Sequence, residues 1–210
     1  TWMNDGYTGG IKEMGINKTF GKDLVVDFEG HAIPGDNDFE SDLTLTKGNL
    51  GYLRLDYGNF RKYYDVYGGF FANYSTAPSI SKLGVDPKMD IGHFLVELGT
   101  SQDNDTALSL SFERHSREGT KNSLTWNKVV QGATTKYLYP TYEDVSLNTD
   151  AITLKGKTEI AGININGQQK VEFFEGRTFR VETPSPFSGT NYIKKKKKEP
   201  QSIQLLSSLK

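Results

Sequence analysis

The sequence contains no cysteine, only two tryptophans and no long apolar run. Without cysteine the chain cannot form disulfides, thiolate metal sites or the Cys-x-x-Cys-His attachment of a c-type haem. No stretch approaches the ~18 consecutive apolar residues of a membrane-spanning helix, so we exclude helical spanning. The formal net charge of −1 gives no overall attraction to nucleic acid. A soluble β-protein and an outer-membrane β-barrel both remain compatible with this composition.

What the sequence does contain is a repeated alternation of apolar and polar residues. Apolar residues occupy every second position in 93–98 and 108–113, and Phe39, Leu43 and Leu45 share one phase in 39–46. A strand with this period places its apolar side chains on one face and its polar side chains on the other. About ten such residues, tilted, also span the hydrocarbon core of a bilayer. The alternation therefore predicts the strands of a barrel wall.

We predict eight strands, at about 9–17, 24–33, 39–46, 50–61, 89–100, 106–115, 147–161 and 168–180. The connections after strands one, three, five and seven are short, whereas 62–88 and 116–143 are long. In an up-and-down sheet the long connections then lie at one end, as in bacterial outer-membrane barrels with short periplasmic turns and long outer loops. We therefore predict an all-β, antiparallel up-and-down transmembrane β-barrel, or a portion of one, in the bacterial outer membrane.

The tail departs from this pattern, so we divide the chain into wall strands at 1–183 and a basic, flexible tail at 184–210. Five consecutive lysines, Lys194 to Lys198, repel each other and favour an open chain. The apolar spacing in 203–209 suits a short helix. The sequence ends without the closing aromatic strand of a complete barrel and begins without a secretion signal. We therefore expect a processed or truncated chain and an incomplete barrel.

The polar positions of the predicted strands supply the candidate site residues. We expect these side chains to face the lumen: Asp27, Glu29, His31, Asp42, Arg54, Asp56, His93, Glu97, Glu113 and His115. The three histidines could in principle bind a metal such as zinc, but we expect no metal site and no catalytic residue. An aromatic girdle at the headgroup level is predicted for Tyr52, Tyr57, Phe60, Tyr63 and Tyr64. The alternative for these aromatics is a soluble barrel mouth or cross-strand pairing.

Eight short segments have a characteristic order and spacing: 32–39 (AIPGDNDF), 50–53 (LGYL), 60–65 (FRKYYD), 68–71 (GGFF), 93–99 (HFLVELG), 110–114 (LSFER), 117–123 (REGTKNS) and 125–126 (TW). In this order and spacing, over roughly residues 6 to 180, the sequence resembles the MtrB/PioB-type, decahaem-associated outer-membrane porins. The resemblance implies an insulating barrel threaded by a multihaem c-type cytochrome that carries electrons across the outer membrane. Haem would then be present only through that partner, and this chain would bind no cofactor itself.

Three functions are therefore open from sequence, and an enzyme ranks behind them all because no catalytic set can be assembled. The first is a scaffold for an extracellular electron-transfer conduit, in contact with lipid and a cytochrome. The second is a general solute porin. The third is a soluble β-barrel or sandwich that binds a ligand at its tyrosine-rich loops.

Overall fold

The structure, a computed structural model, describes residues 9–65, 85–101, 105–131, 134–160, 162–182 and 194–209. These residues form ten strands and a short 3-10 turn at Pro34–Asp36. The strands are β1 Ile11–Phe20, β2 Leu24–Ile33, β3 Asp38–Lys47, β4 Gly51–Tyr63, β5 Lys88–Thr100, β6 Thr106–Gln131, β7 Thr134–Ile160, β8 Ile163–Glu182, β9 Lys194–Lys198 and β10 Gln201–Leu209. The prediction of an all-β chain is confirmed.

All ten strands belong to one antiparallel sheet, in the order β1 to β8 followed by β10, with β9 also pairing with β8. Each strand from β1 to β8 is hydrogen-bonded to the next strand in sequence, which is the predicted up-and-down arrangement. The sheet is not closed, since within the described ranges β1 pairs only with β2 and β10 pairs only with β8.

The predicted long connection at 116–143 is wrong. β6 continues to Gln131 and β7 begins at Thr134, so a two-residue connection joins two very long strands. Beyond Gly119 and before Tyr142 these strands pair with each other but with neither β5 nor β8. The segment is rich in threonine, tyrosine and valine. These residues favour strands, so strands can form here although apolar and polar residues do not alternate. A long hairpin therefore extends past the other described strands of the sheet.

The helix suggested for 203–209 is also wrong, because Gln201–Leu209 is a strand paired antiparallel with β8. The lysine run forms β9, which pairs with the carboxyl-terminal part of β8, from Thr178 to Glu182. Residues 1–8 and 183–193 of the two predicted regions, and 66–84 of the 62–88 connection, lie outside the described residues. The flexibility of 184–210 stays a prediction.

The sheet has almost no core of its own. The buried hydrophobic residues of the described ranges are few and mostly small: Met89, Ala107, Val145 and Ala151. Since the described strands form one sheet, no second layer covers either of its faces in this part of the chain. None of the described residues forms a helix long and apolar enough to cross a membrane.

Candidate functional site

The strand register gives the sheet one apolar face. Residues directly opposite each other on successive strands form rows across it, and one row carries an apolar residue on every strand of the β1-to-β10 path. We call this the central apolar row: Ile16, Phe28, Leu43, Leu55, Val96, Phe112, Ile152, Val171 and Leu205. None of these side chains is buried, and Ile152 is 46% exposed. Within the described ranges, the apolar face therefore has no protein covering.

The rows next to the central apolar row are also apolar, and charged residues replace them further along the strands. The next row towards the short turns is apolar from β2 to β7: Val26, Leu45, Leu53, Leu98, Leu110 and Leu154. On the other side, one row combines Tyr57, Phe94 and Phe173 with a single ion pair between Arg114 and Asp150. Two rows further on, charged residues take over: Arg61, Asp90, Glu118 and Arg177. The apolar residues thus form a band with a charged border.

The opposite face is polar, and it carries every residue predicted to face a lumen. The register places Asp27, Glu29 and His31 of β2 on the same face as Asp42 of β3 and Arg54 and Asp56 of β4. His93 and Glu97 of β5 and Glu113 and His115 of β6 follow on that face. We call this the polar face. That it lines a lumen stays a prediction.

Ion pairs connect β3, β4 and β5 across the polar face. The Arg54 guanidinium donates to the Asp42 carboxylate from Nη2 at 2.6 Å and from Nε at 3.1 Å. The same Nη2 is 3.3 Å from Asp56, whose other oxygen lies 2.6 Å from His93 Nε2. Arg54 thereby separates two carboxylates that face each other directly in the register, an arrangement that would otherwise be destabilising.

A second network spans β4 to β7. The Tyr52 hydroxyl donates to the Glu97 carboxylate, whose other oxygen is 3.8 Å from Lys155 Nζ. Glu97 and Lys155 are on strands separated by β6, so their side chains must pass over it. The β6 positions between them are Ser109 and Ser111, both small and both 7% exposed. Small side chains on β6 therefore permit an ion pair across an intervening strand.

The three histidines share one row of the polar face but do not form a cluster. His93 and His115 are directly opposite, with ring centroids 6.3 Å apart, and His115 Nε2 lies 2.7 Å from Glu113. His31 lies three strands away and contacts Asp38 at 3.0 Å. No group of three metal-ligating side chains is placed to hold an ion in the described part of the chain.

Two glycines on the polar face lie under aromatic side chains, which sequence reasoning missed. A Cβ atom at Gly58 would lie 2.4 Å from His93 Cε1, and one at Gly99 would lie 2.6 Å from Tyr52 Cε1. Each ring therefore covers the bare backbone of a glycine on the adjacent strand, as in aromatic rescue. The sequence did contain a signal for this, because each glycine falls in the same alternating phase as the polar residues of its strand.

The register divides the residues of the predicted aromatic girdle between the two faces, and the girdle itself stays a prediction. Tyr57 and Tyr63 lie on the apolar face, whereas Tyr52 and Phe60 lie on the polar face. Tyr64 follows the end of β4, and its hydroxyl is 4.0 Å from Met89 Sδ. A single ring of aromatics facing lipid could therefore not include all five residues, because strand neighbours of opposite phase point to opposite sides.

The charges on the polar face are distributed unevenly. From β2 to β5 the carboxylates Asp27, Glu29, Asp38, Glu40, Asp42, Asp56 and Glu97 outnumber the cations Arg54 and Lys62. From β6 to β8 the cations Arg117, Lys121, Lys155, Lys157, Lys170 and Arg180 share the face with the carboxylates Glu113, Glu143, Glu159 and Glu172. The arrangement can orient and hydrogen-bond a polar partner, with an acidic part on β2 to β5 and a part of mixed charge on β6 to β8.

No protein-family model matches the sequence, and neither a curated protein nor a solved structure matches it.

Proposed function

We propose that this chain forms a stretch of the wall of a transmembrane β-barrel in a bacterial outer membrane. The observation that carries the proposal is the central apolar row, which presents one uncovered apolar side chain on every strand of the path. Large contiguous apolar surfaces are rare on soluble monomers. A bilayer is the solvent that favours such a face.

The dimensions of the apolar face support the same proposal. On β2 its positions run from Leu24 to Ala32, which corresponds to about 27 Å along an extended strand. With the usual strand tilt of roughly 40°, that length spans about 20 Å of membrane, close to the ~25 Å apolar band of such barrels. The charged row containing Arg61 and Asp90 would then lie beyond the hydrocarbon, where ion pairs remain hydrated.

We further propose that the wall is a scaffold around a multihaem c-type cytochrome. The resemblance to MtrB/PioB-type porins supplies this expectation. The polar face offers what such a partner needs, namely charged and hydrogen-bonding groups held in place by the Arg54 and Glu97 networks. The wall would exclude lipid and position the cytochrome, while the haems would belong entirely to the partner. A general solute porin is the second candidate, favoured by the mixed charges on the polar face.

The first test is a visible absorption spectrum of the protein purified in mild detergent from its native membranes. We expect a Soret band that co-migrates with this cysteine-free chain, because the haem is carried by the bound cytochrome. Extraction of the same membranes with alkaline carbonate should leave the chain in the pellet. A chain that is haem-free and stays dissolved after detergent removal contradicts the membrane proposal and favours a soluble binding module.

A second measurement separates the scaffold from the porin. The purified chain, reconstituted alone in planar bilayers, should form no stable conductance if its wall requires a partner. Stable single-channel steps without haem would favour the solute porin. A haem signal in the purified protein, together with no conductance in planar bilayers, would favour the scaffold.

A further inference from the structure

The two edges of the sheet are the feature that the proposed wall leaves unexplained. Among the described residues β1 has a strand partner only on its β2 side, and the last strand has one only on its β8 side. Such edges present unpaired N–H and C=O groups, which a bilayer cannot satisfy. A wall in lipid therefore needs a neighbour at each edge.

The last strand is β9 and β10 taken together, which we call the terminal strand. Lys198 lies opposite Thr178 and Gln201 lies opposite Glu175, so the register continues unchanged across the break. The Gly176 N–H donates to the Pro200 carbonyl at 2.9 Å, which keeps the break attached to β8. Pro200 itself has no N–H for a ladder, which explains why the strand is interrupted there.

The terminal strand has the correct phase for a wall strand. Ile203 and Leu205 lie in the rows of Phe173 and Val171 and therefore belong to the apolar face. Ser202 and Gln204 alternate with them and fall on the polar face. Ile203 is 72% exposed and Leu205 69% exposed, as expected of an apolar side chain that faces lipid. The terminal strand thus extends the wall by one further strand.

The directions of the strands then decide what the edges can accept. Because every ladder is antiparallel, strand direction alternates along the path, so β1, β3, β5 and β7 all run the same way. β8 runs opposite to β1, and the terminal strand runs opposite to β8. β1 and the terminal strand are therefore parallel, and no antiparallel ladder can join them to close the sheet on itself.

We infer that the outer edges of β1 and of the terminal strand are docking edges for a complementary wall segment with an odd number of strands. An odd number is required because the first and last strands of that segment must each run antiparallel to the edge they meet. Single-chain bacterial barrels have even totals for the same reason. The segment must alternate apolar and polar residues in the phase set by Ile16 and Leu205, so that its apolar side chains continue the central apolar row. The lipid setting of the segment rests on the proposed function, but the edge pairing itself does not.

Strand-addition peptides test the docking edges directly. A peptide with the sequence of 167–176, the β8 stretch that β10 already pairs with, should add to the outer edge of the terminal strand. A peptide with the sequence of 24–33 should add to β1. We expect amide exchange of 201–209 and 11–20, respectively, to slow by about tenfold in micelles. The same peptides carrying N-methyl groups at alternate residues are the matched controls, because they cannot complete a ladder.

The inference is overturned if neither peptide slows exchange, or if both edges are already as protected as β3 in the peptide-free protein. These measurements use micelles and need no haem. If the peptides do not slow exchange but the Soret band is present, the docking-edge inference is wrong and the proposed function is unaffected. If the peptides slow exchange but the chain is not retained in the membrane fraction, the proposed function is wrong and the docking-edge inference is unaffected.

Cysteine cross-linking checks that the chain does not close on itself, and the absence of native cysteine makes it free of background. Asn17→Cys on β1 is combined with single cysteines on β8 (Gln168→Cys, Lys170→Cys and Glu172→Cys) or on the terminal strand (Ser202→Cys, Gln204→Cys and Ser208→Cys). Asp27→Cys with Thr44→Cys, which face each other directly, is the positive control. We expect a bismaleimide to link only the control pair within one chain. A link from β1 to β8 would show an eight-stranded closure, and a link to the terminal strand would show a parallel seam; either overturns the inference.

Discussion

The two faces of this sheet share one backbone and differ in how their side chains are satisfied. On the polar face, Arg54 and Glu97 hold neighbouring carboxylate, hydroxyl and ammonium groups in networks that cross several strands. On the apolar face, nine strands contribute an apolar residue to one row that no other described part of the chain covers. The polar face therefore pairs many of its charged groups within the sheet, whereas the apolar face exposes large apolar side chains that, under the proposed function, would face lipid.

The largest expected effect comes from placing a charge in the central apolar row. Leu43→Arg should destabilise the protein in lipid vesicles by about 2–4 kcal/mol, since a guanidinium would then face hydrocarbon. Thr46→Arg, on the same strand but on the polar face, should change the free energy of unfolding by no more than about 0.5 kcal/mol. Urea unfolding in vesicles measures both. Equal and small effects of the two substitutions would mean that the apolar face meets water.

Adding a methyl group beneath an aromatic ring tests the packing of the polar face. Gly58→Ala should cost about 1–3 kcal/mol, because its Cβ would collide with the His93 ring and overpacking strains the site. Gly15→Ala is the matched control, since there the nearest atom is 3.9 Å from the added Cβ. Chemical unfolding of both variants gives the comparison. A Gly58→Ala variant as stable as Gly15→Ala would indicate that His93 does not rest on this glycine.

Two ion pairs of the same geometry on the apolar face offer a finer comparison. Arg114 contacts Asp150 at 2.6 Å through two nitrogens, and Arg61 contacts Asp90 at 2.7 and 2.8 Å. In water, Asp150→Asn and Asp90→Asn should each cost about 0–1 kcal/mol, because the Arg114–Asp150 pair is exposed and the Arg61–Asp90 pair is only partly buried.

In vesicles, however, Asp150→Asn should cost about 1–2 kcal/mol more than Asp90→Asn, because it leaves Arg114 unpaired within the apolar band. Unfolding of both variants in vesicles measures this difference. Equal costs would place the two pairs in the same solvent and would argue that the band is not embedded.

Much of the fold could be predicted because period-two alternation is a local property. β2 was predicted with the bounds it has, since non-polar and polar residues alternate from Val26 to Ala32 and a Pro-Gly turn follows the strand. The extension of β6 and β7 through 116–143 was missed because apolar and polar residues do not alternate regularly in that segment. The terminal strand was missed because its lysines gain strand structure only by pairing with β8, a contact between segments that the local pattern does not contain.

The site was predictable in part for the same reason. Alternation identifies which residues share the polar face, so Arg54, Asp56 and His93 could be assigned to it from sequence. Which of them touch depends on the register between strands, and the turns and apolar rows that set the register act over long sequence distances. The pairing of His93 with Asp56, and of Glu97 with Lys155 across β6, therefore emerged only from the structure.

The smallest expected effect concerns the ion pairs that attach the break in the terminal strand. A hydrogen bond from Lys197, together with Arg177 at 3.2 Å, lowers the pKa of the Glu199 carboxyl group below its ordinary value. A carboxyl group whose pKa is lower in the folded state stabilises the fold above its unfolded pKa and loses that contribution as the pH falls through the folded pKa. Acidification below the ordinary glutamate range should therefore loosen 194–198 slightly while β3 and β4 stay unchanged. Amide signals of β9 followed by NMR into the acid range measure this change, and Glu199→Gln should abolish it. A transition of the same size in Glu199→Gln would assign the loosening to another carboxylate on β8.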